Sequence, residues 1–316
     1  MKKRSVSMKL KLPHILLAAA VLTGAVLLWI LWPSNSAKTV GIVYAEQNNP
    51  ENTPYRQALE QALTDAGYKP EIYHSGANQQ TQLEYIRQLS KDCDALIIEP
   101  VMISAGAELS QALTQADLPA VLIGRQTEGD YFNENKQVYF VGSTTPSGAA
   151  QSALLQALPQ GGDVNGNGTV SYMILTGPDT SPEALARAGS LERYLDGELL
   201  TAQHTDWTAD NSKDLCAAGI SAYGKDVEVI FCCGTQITCG AAQAVQDSRR
   251  IVDKDIYIIG FDDGDAIAEQ IGSEAITAAI VSDSPMQIDA VITAIGALLD
   301  GKTPAPVSFS YKERTK

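Results

Sequence analysis

The feature that most constrains this chain is a series of short segments that are apolar throughout, each followed by a helical pattern. Residues 40–44 (VGIVY) open it, and 72–74 (IYH), 95–99 (ALIIE), 120–124 (AVLIG) and 138–142 (VYFVG) follow. Between the first two, Thr53-Pro54 can cap and start a helix. Tyr55, Ala58, Leu59, Ala62, Leu63 and Ala66 then recur at helical spacing, and Gly67 ends the helix. After a loop the alternation restarts with 170–175 (VSYMIL), 199–203 (LLTAQ), 227–233 (VEVIFCC), 256–260 (IYIIG) and 275–281 (AITAAIV). Runs that are apolar at every position, rather than at alternate ones, belong in a parallel sheet covered on both faces. Strict strand–helix alternation predicts a doubly wound α/β fold, and its repetition predicts two such lobes. A length of 316 residues agrees with about two domains. Ligands of such sheets bind beyond the carboxyl ends of the strands. The positions to watch are therefore 46–51, 124–125, 177–183, 234–235 and 262–263.

Charge narrows the partners. Lys plus Arg is 23 and Asp plus Glu 37, a net charge of −14. Five of the bases (Lys2, Lys3, Arg4, Lys9, Lys11) fall in residues 1–12, which hold no acid, so the remainder is more acidic still. Such a surface is a poor nucleic-acid binder, because phosphate neutralisation needs clustered cations. Residues 15–32 (ILLAAAVLTGAVLLWILW) carry no charge. As a helix they span about 27 Å, close to a bilayer's hydrocarbon thickness. With the basic tail 1–12 kept inside, residues 13–33 read as a single-pass membrane anchor. The competing reading is a cleaved signal peptide. Both put residues 38–316 outside the cytoplasm, in the periplasm or at the cell surface.

Three local motifs bear on chemistry. Asp163, Asn165, Asn167 and Thr169 stand at positions 1, 3, 5 and 7 of a calcium-loop spacing, with Gly168 at position 6. A strand rather than a helix follows, and no Glu stands at position 12. The bland alternative is a Gly/Asn turn. Next, Pro182 opens a helix on which Glu183 and Arg187 share one face at i, i+4. They are an exposed ion pair or a polar pair for a ligand hydroxyl; the planar fork of Arg suits two adjacent ring oxygens. Third, Trp207 sits on a loop after a strand, as core or as a face on which a sugar ring stacks. The odd cysteine count leaves at least one of Cys93, Cys216, Cys232, Cys233 and Cys239 outside any intramolecular disulfide. A bridge from Cys232 or Cys233 to Cys239 and buried free thiols both stay open. The three histidines are scattered, no serine sits in a nucleophile elbow, and no phosphate loop is present, so nothing points to an enzyme.

The motifs together resemble the type I periplasmic-binding-protein family, and within it the galactose/glucose-binding branch, over residues 39–310. The resemblance rests on VGIVY followed by Asn48-Asn49, on YFVGSTTPSG, DVNGNGTVSYMILTG, PEALAR, Asp206-Trp207 and IIGFDDGDAI. It implies two lobes joined by three hinge crossovers, near 142–145, 282–285 and 302–306. The first lobe would hold 39–142 plus 285–302, and the second 145–282 plus 305–316. Arg187, Trp207 and Asp262 match the branch's sugar contacts, and Asn49 and Glu183 stand where it has aspartates. The resemblance also implies calcium at Asp163, Asn165, Asn167, Thr169 and Ser171, with Glu228 as a remote bidentate ligand. Gly124, Gly234 and Ser282 replace asparagines, and Glu51 replaces a stacking aromatic. The implied function is a non-enzymatic, membrane-tethered sugar binder. It would close on a monosaccharide and deliver it to an ABC permease, or report it to a membrane histidine kinase. A fold-sharing transcription regulator would need an N-terminal helix-turn-helix, where this chain has the apolar run.

Overall fold

In the computed structural model, five of the apolar runs form one parallel sheet. The model describes residues 37–316 except Asn48, Asn133 and Asp263. The basic tail and the anchor reading of 13–33 lie outside the described residues, among which no helix is long and apolar enough to cross a membrane. The first sheet holds β1 (Thr39–Tyr44), β2 (Lys69–His74), β3 (Ala95–Ile98), β4 (Ala120–Ile123) and β5 (Val138–Val141), in the order β2-β1-β3-β4-β5. The second holds β6 (Ser171–Thr176), β7 (Glu198–His204), β8 (Val229–Cys232), β9 (Tyr257–Phe261), β10 (Ala278–Val281) and β11 (Lys312–Arg314), in the order β11-β10-β9-β8-β6-β7. Every pairing is parallel except β10 with β11.

Helices cover both faces of each sheet, which explains the unbroken apolar runs. Successive strand side chains point to opposite faces. Ile97 joins one core, with Leu59 and Leu63 of α1 (Thr53–Asp65) and Val291 and Ile295 of α9 (Ser284–Leu299). Its neighbours Leu96 and Ile98 join the other, with Ile86 of α2 (Gln79–Leu89) and Leu109 and Leu113 of α3 (Gly106–Ala116). The second sheet repeats the plan. Met173 and Leu175 face α6 (Ala209–Tyr223), α7 (Thr235–Asp247) and α8 (Asp265–Gly272). Ile174 faces α4 (Ser147–Ala157) and α5 (Pro182–Tyr194). Gly148 lets α4 meet α5 closely: a Cβ there would lie 2.2 Å from the Ser190 carbonyl oxygen.

The helix starts follow sequence. Asn78, Ser181, Thr208 and Asp283 each accept an amide of the first turn of α2, α5, α6 and α9. The starts of α1, α3, α4, α7 and α8 have no side-chain cap at their N-cap residue, which in α7 is Gly234.

The fold is thus α/β with parallel sheets in two lobes, and the chain crosses between them three times. It passes from β5 to α4, from β10 to α9, and from α9 to β11. An isolated parallel bridge joins Ser143 to Phe309 where two crossings run side by side. Several strands differ from expectation: the run at 227–233 forms a strand only over Val229–Cys232, β11 has no counterpart among the apolar runs, and the run at 275–281 forms a strand only over Ala278–Val281, with the Thr277 hydroxyl accepting the Ile258 amide ahead of it. All five cysteines are free, and four of them are buried, so the open disulfide question resolves to thiols.

Candidate functional site

In both sheets the strand order reverses beside the first strand, between β1 and β3 and between β6 and β8. Loops diverge at such a switch point and leave a crevice. Here the two crevices share one seam. From the first lobe come Glu46, Asn49 and Glu51 after β1, Glu99 after β3 and Arg125 after β4. From the second come Ser181 and Glu183 after β6, Gly234 after β8 and Asp262 after β9. Among the described residues, five polar contacts tie the lobes. Arg125 Nη1 meets Glu183 Oε2 at 2.5 Å, and Ser181 Oγ donates to Glu46 Oε1 at 3.0 Å. Glu51 accepts from the Thr235 and Gln236 amides at 2.8 and 3.2 Å, and Arg193 approaches Glu128 at 3.9 Å.

A chamber of about 520 Å³ lies between these contacts and the crossings, within the usual range for small-molecule sites, and Glu51, Arg125, Glu128, Glu183 and Arg193 all line it. A chain of charges forms part of its wall. Arg125 bonds Glu183, whose Oε1 accepts from Arg187 Nε at 2.7 Å. Arg187 also donates to the Cys233 carbonyl at 2.6 Å and lies 3.9 Å from Asp262. Its guanidinium stacks 3.8 Å from the Phe261 ring centroid. Asp262 accepts from Ser282 Oγ at 2.7 Å, and its φ of +84° is in the left-handed region. A non-glycine residue there is held by its surroundings at some cost. Burial would raise the Glu183 pKa; Arg187 and then Arg125 outweigh it and hold the carboxyl at about 2. Burial raises the Glu46 pKa, against the hydrogen bonds from Asn49 and Ser181. On the first-lobe side, Arg56 pairs with Glu99 at 2.8 Å over the Tyr44 ring.

Of the five residues expected to touch ligand, the chamber gathers Glu183, Arg187 and Asp262. Glu183 and Arg187 are not an exposed ion pair; their side chains are 13% and 7% exposed. Asn49 is fully buried, donating to Glu46 at 2.7 Å and accepting from the Glu51 amide at 3.1 Å. Trp207 is 3% exposed and lies outside the chamber wall. It packs so closely under Gly177 that a Cβ there would stand 2.2 Å from the ring. Its indole nitrogen is buried and has no partner among the described residues. The sequence did not single out Arg125, Arg56 or Glu99 as ligand residues. Arg125 was within reach, since it follows a strand directly; Arg56 and Glu99 carry no motif and become visible only through their pairing.

The loop at 163–169 lies away from this chamber. Asp163 accepts from the amides of Gly166, Asn167 and Gly168 at 2.8, 3.1 and 2.8 Å. Glu228, fully buried, accepts from Asn165 and Ser171 at 2.8 and 2.9 Å. Among the described residues no three His, Cys, Asp or Glu side chains gather as a metal group. The donors on offer are two carboxylates, the amide oxygens of Asn165 and Asn167, the Thr169 carbonyl and Ser171. An all-oxygen set of this kind fits a hard cation such as calcium.

The comparisons agree with this geometry. The model of the periplasmic binding protein domain matches residues 40–303. A putative rhizopine-binding protein of Rhizobium meliloti is 24% identical over 249 residues, 75% of this chain and 77% of that protein. An HTH-type transcriptional regulator, reg1 of Streptomyces lividans, is 26% identical over 256 residues, 74% of this chain and 67% of its own. Among solved structures, the periplasmic binding component of the arabinose ABC transporter from Shewanella sp. ANA-3, bound to α- and β-L-arabinofuranose, superposes with a TM-score of 0.67. That likeness is 18% identical and covers 88% of this chain and 90% of the other. The frame therefore serves more than one role among relatives, and the chain belongs to the periplasmic binding protein domain family.

Proposed function

We propose that this chain is a non-enzymatic, extracytoplasmic binding protein for a monosaccharide-sized, polyhydroxylated ligand. The observation that carries it is the chamber at the seam, walled by hydrogen-bonding side chains from both lobes at both switch points. A ligand that bonds both lobes stabilises the closed form by its differential affinity. Sugar hydroxyls donate and accept at once. Glu183 and Asp262 accept, and Arg125 and Arg187 donate, so analogues lacking a matching hydroxyl leave buried polar groups unpaired. The arabinofuranose bound by the Shewanella protein and the rhizopine ligand ascribed to the Rhizobium relative support this class. Delivery to an ABC permease is the first role. A co-receptor for a membrane histidine kinase is the second, favoured by the uncharged run at 15–32 behind five bases, which reads as a tether.

The test is a thermal-shift screen of the full chain in detergent against aldopentoses, aldohexoses and cyclic polyols. A ligand at a hundred times its Kd adds about 2.7 kcal/mol of stability. We expect one compound to raise the melting temperature and Asp262→Asn to weaken that rise. A flat screen overturns the sugar reading. Co-purification with a permease–ATPase pair, or with a kinase, separates the two roles. The reading includes a structural calcium ion held by Asp163, Asn165, Asn167, Thr169 and Glu228, with Ser171 beside it. A chelator should lower the melting temperature, and Glu228→Gln should remove the chelator's effect.

A further inference from the structure

A helix start needs acceptors for its first amides, and α7 has none of its own, because Gly234 at its N-cap carries no side chain. The acceptor comes from the other lobe. Glu51 Oε2 takes the Thr235 amide at 2.8 Å and Oε1 the Gln236 amide at 3.2 Å. A carboxylate also suits the positive end of the helix dipole. The same glycine makes the room: a Cβ at 234 would stand 2.9 Å from the Glu51 carboxyl carbon and 3.2 Å from the Trp207 ring. The arm that carries Glu51 is braced. Asn49 Oδ1 accepts from the Glu51 amide at 3.1 Å, the Asn49 side-chain amide donates to Glu46 at 2.7 Å, and Glu46 accepts from Ser181 at 3.0 Å. Beside this bridge Trp207, packed into the second lobe's core, is 3% exposed.

We propose that Glu51 is an intrachain latch and a specificity-determining residue. It joins the lobes beside Trp207. It thereby confines a ligand to the chamber bounded by Arg125, Glu183, Arg187, Asp262 and Ser282. A ligand held there is selected by hydrogen bonds to its hydroxyls rather than by stacking on the indole. The confinement rests on the binding-protein reading above; the latch does not.

Trp207 reports on the latch directly. In the full chain with Trp29→Phe and Trp32→Phe it is the sole indole. In that background and without ligand, Glu51→Ala should raise acrylamide quenching of Trp207 several-fold, with far-UV circular dichroism unchanged. Gly234→Asn, which leaves the Glu51 carboxylate intact but fills its seat, should do the same. Glu51→Gln, which keeps an acceptor and loses the charge, should fall between. A Trp207 as shielded in Glu51→Ala as in the parent overturns the latch, whatever the sugar screen gives. For a sugar that does bind the parent, unchanged Trp207 emission and quenching support the confinement, and a change in either overturns it.

Discussion

Two guanidiniums from different lobes hold Glu183 as an anion. Its folded pKa of about 2 lies below the ordinary 4.5. The group therefore stabilises the fold fully above about pH 4.5 and loses that contribution as the pH falls towards 2. Glu183→Gln should flatten the pH dependence of urea unfolding over that interval. Glu183→Ala, which strands Arg125 and Arg187, should cost about 3–5 kcal/mol. The thiols behave oppositely. Burial pushes Cys93 up to about 11 and Cys216 and Cys233 up to about 12, and thiolate is the reactive form. Iodoacetamide on the native protein at neutral pH should modify the partly exposed Cys239 first, and the other four only after unfolding; peptide mass mapping checks this. At this scale the sequence was half legible. Glu183, Arg187 and Asp262 follow strands or open a helix, so chain order alone places them at the seam. Trp207 is drawn into the core with Met173 and Leu175, and no local pattern ties it to Glu51, which reaches Gly234 beside its ring.

Elements were easier to read than side chains, because a strand covered on both faces must be apolar at each position. The strands β3, β4 and β8 are buried at every position. β11 escaped for the opposite reason: Lys312 and Glu313 are exposed, and the strand exists only by pairing along the edge of β10. Helix contacts also turn on single residues. Gly148→Ala would press a methyl group onto the Ser190 carbonyl, separating α4 from α5. It should cost about 1–3 kcal/mol in chemical denaturation, with the larger loss expected because backbone rather than a flexible side chain is in the way.

For the molecule as a whole, the three crossings mean that the first lobe is not a continuous stretch of chain. Its core takes Ile288, Val291, Ala294, Ile295 and Leu298 from α9, which follows the entire second sheet in sequence. Truncation after Asp283 should therefore damage the lobe farther from the cut in sequence. Hydrogen exchange should speed up across β1, β3 and β4, while β6, β8 and β9 keep most of their protection. During synthesis the same arrangement inverts the order of completion. The ribosome releases the first lobe's strands early, but the helix that covers one face of them is made almost last. For most of translation that apolar face lacks its intended cover, so a chaperone has its longest working interval on the half of the protein that is born first.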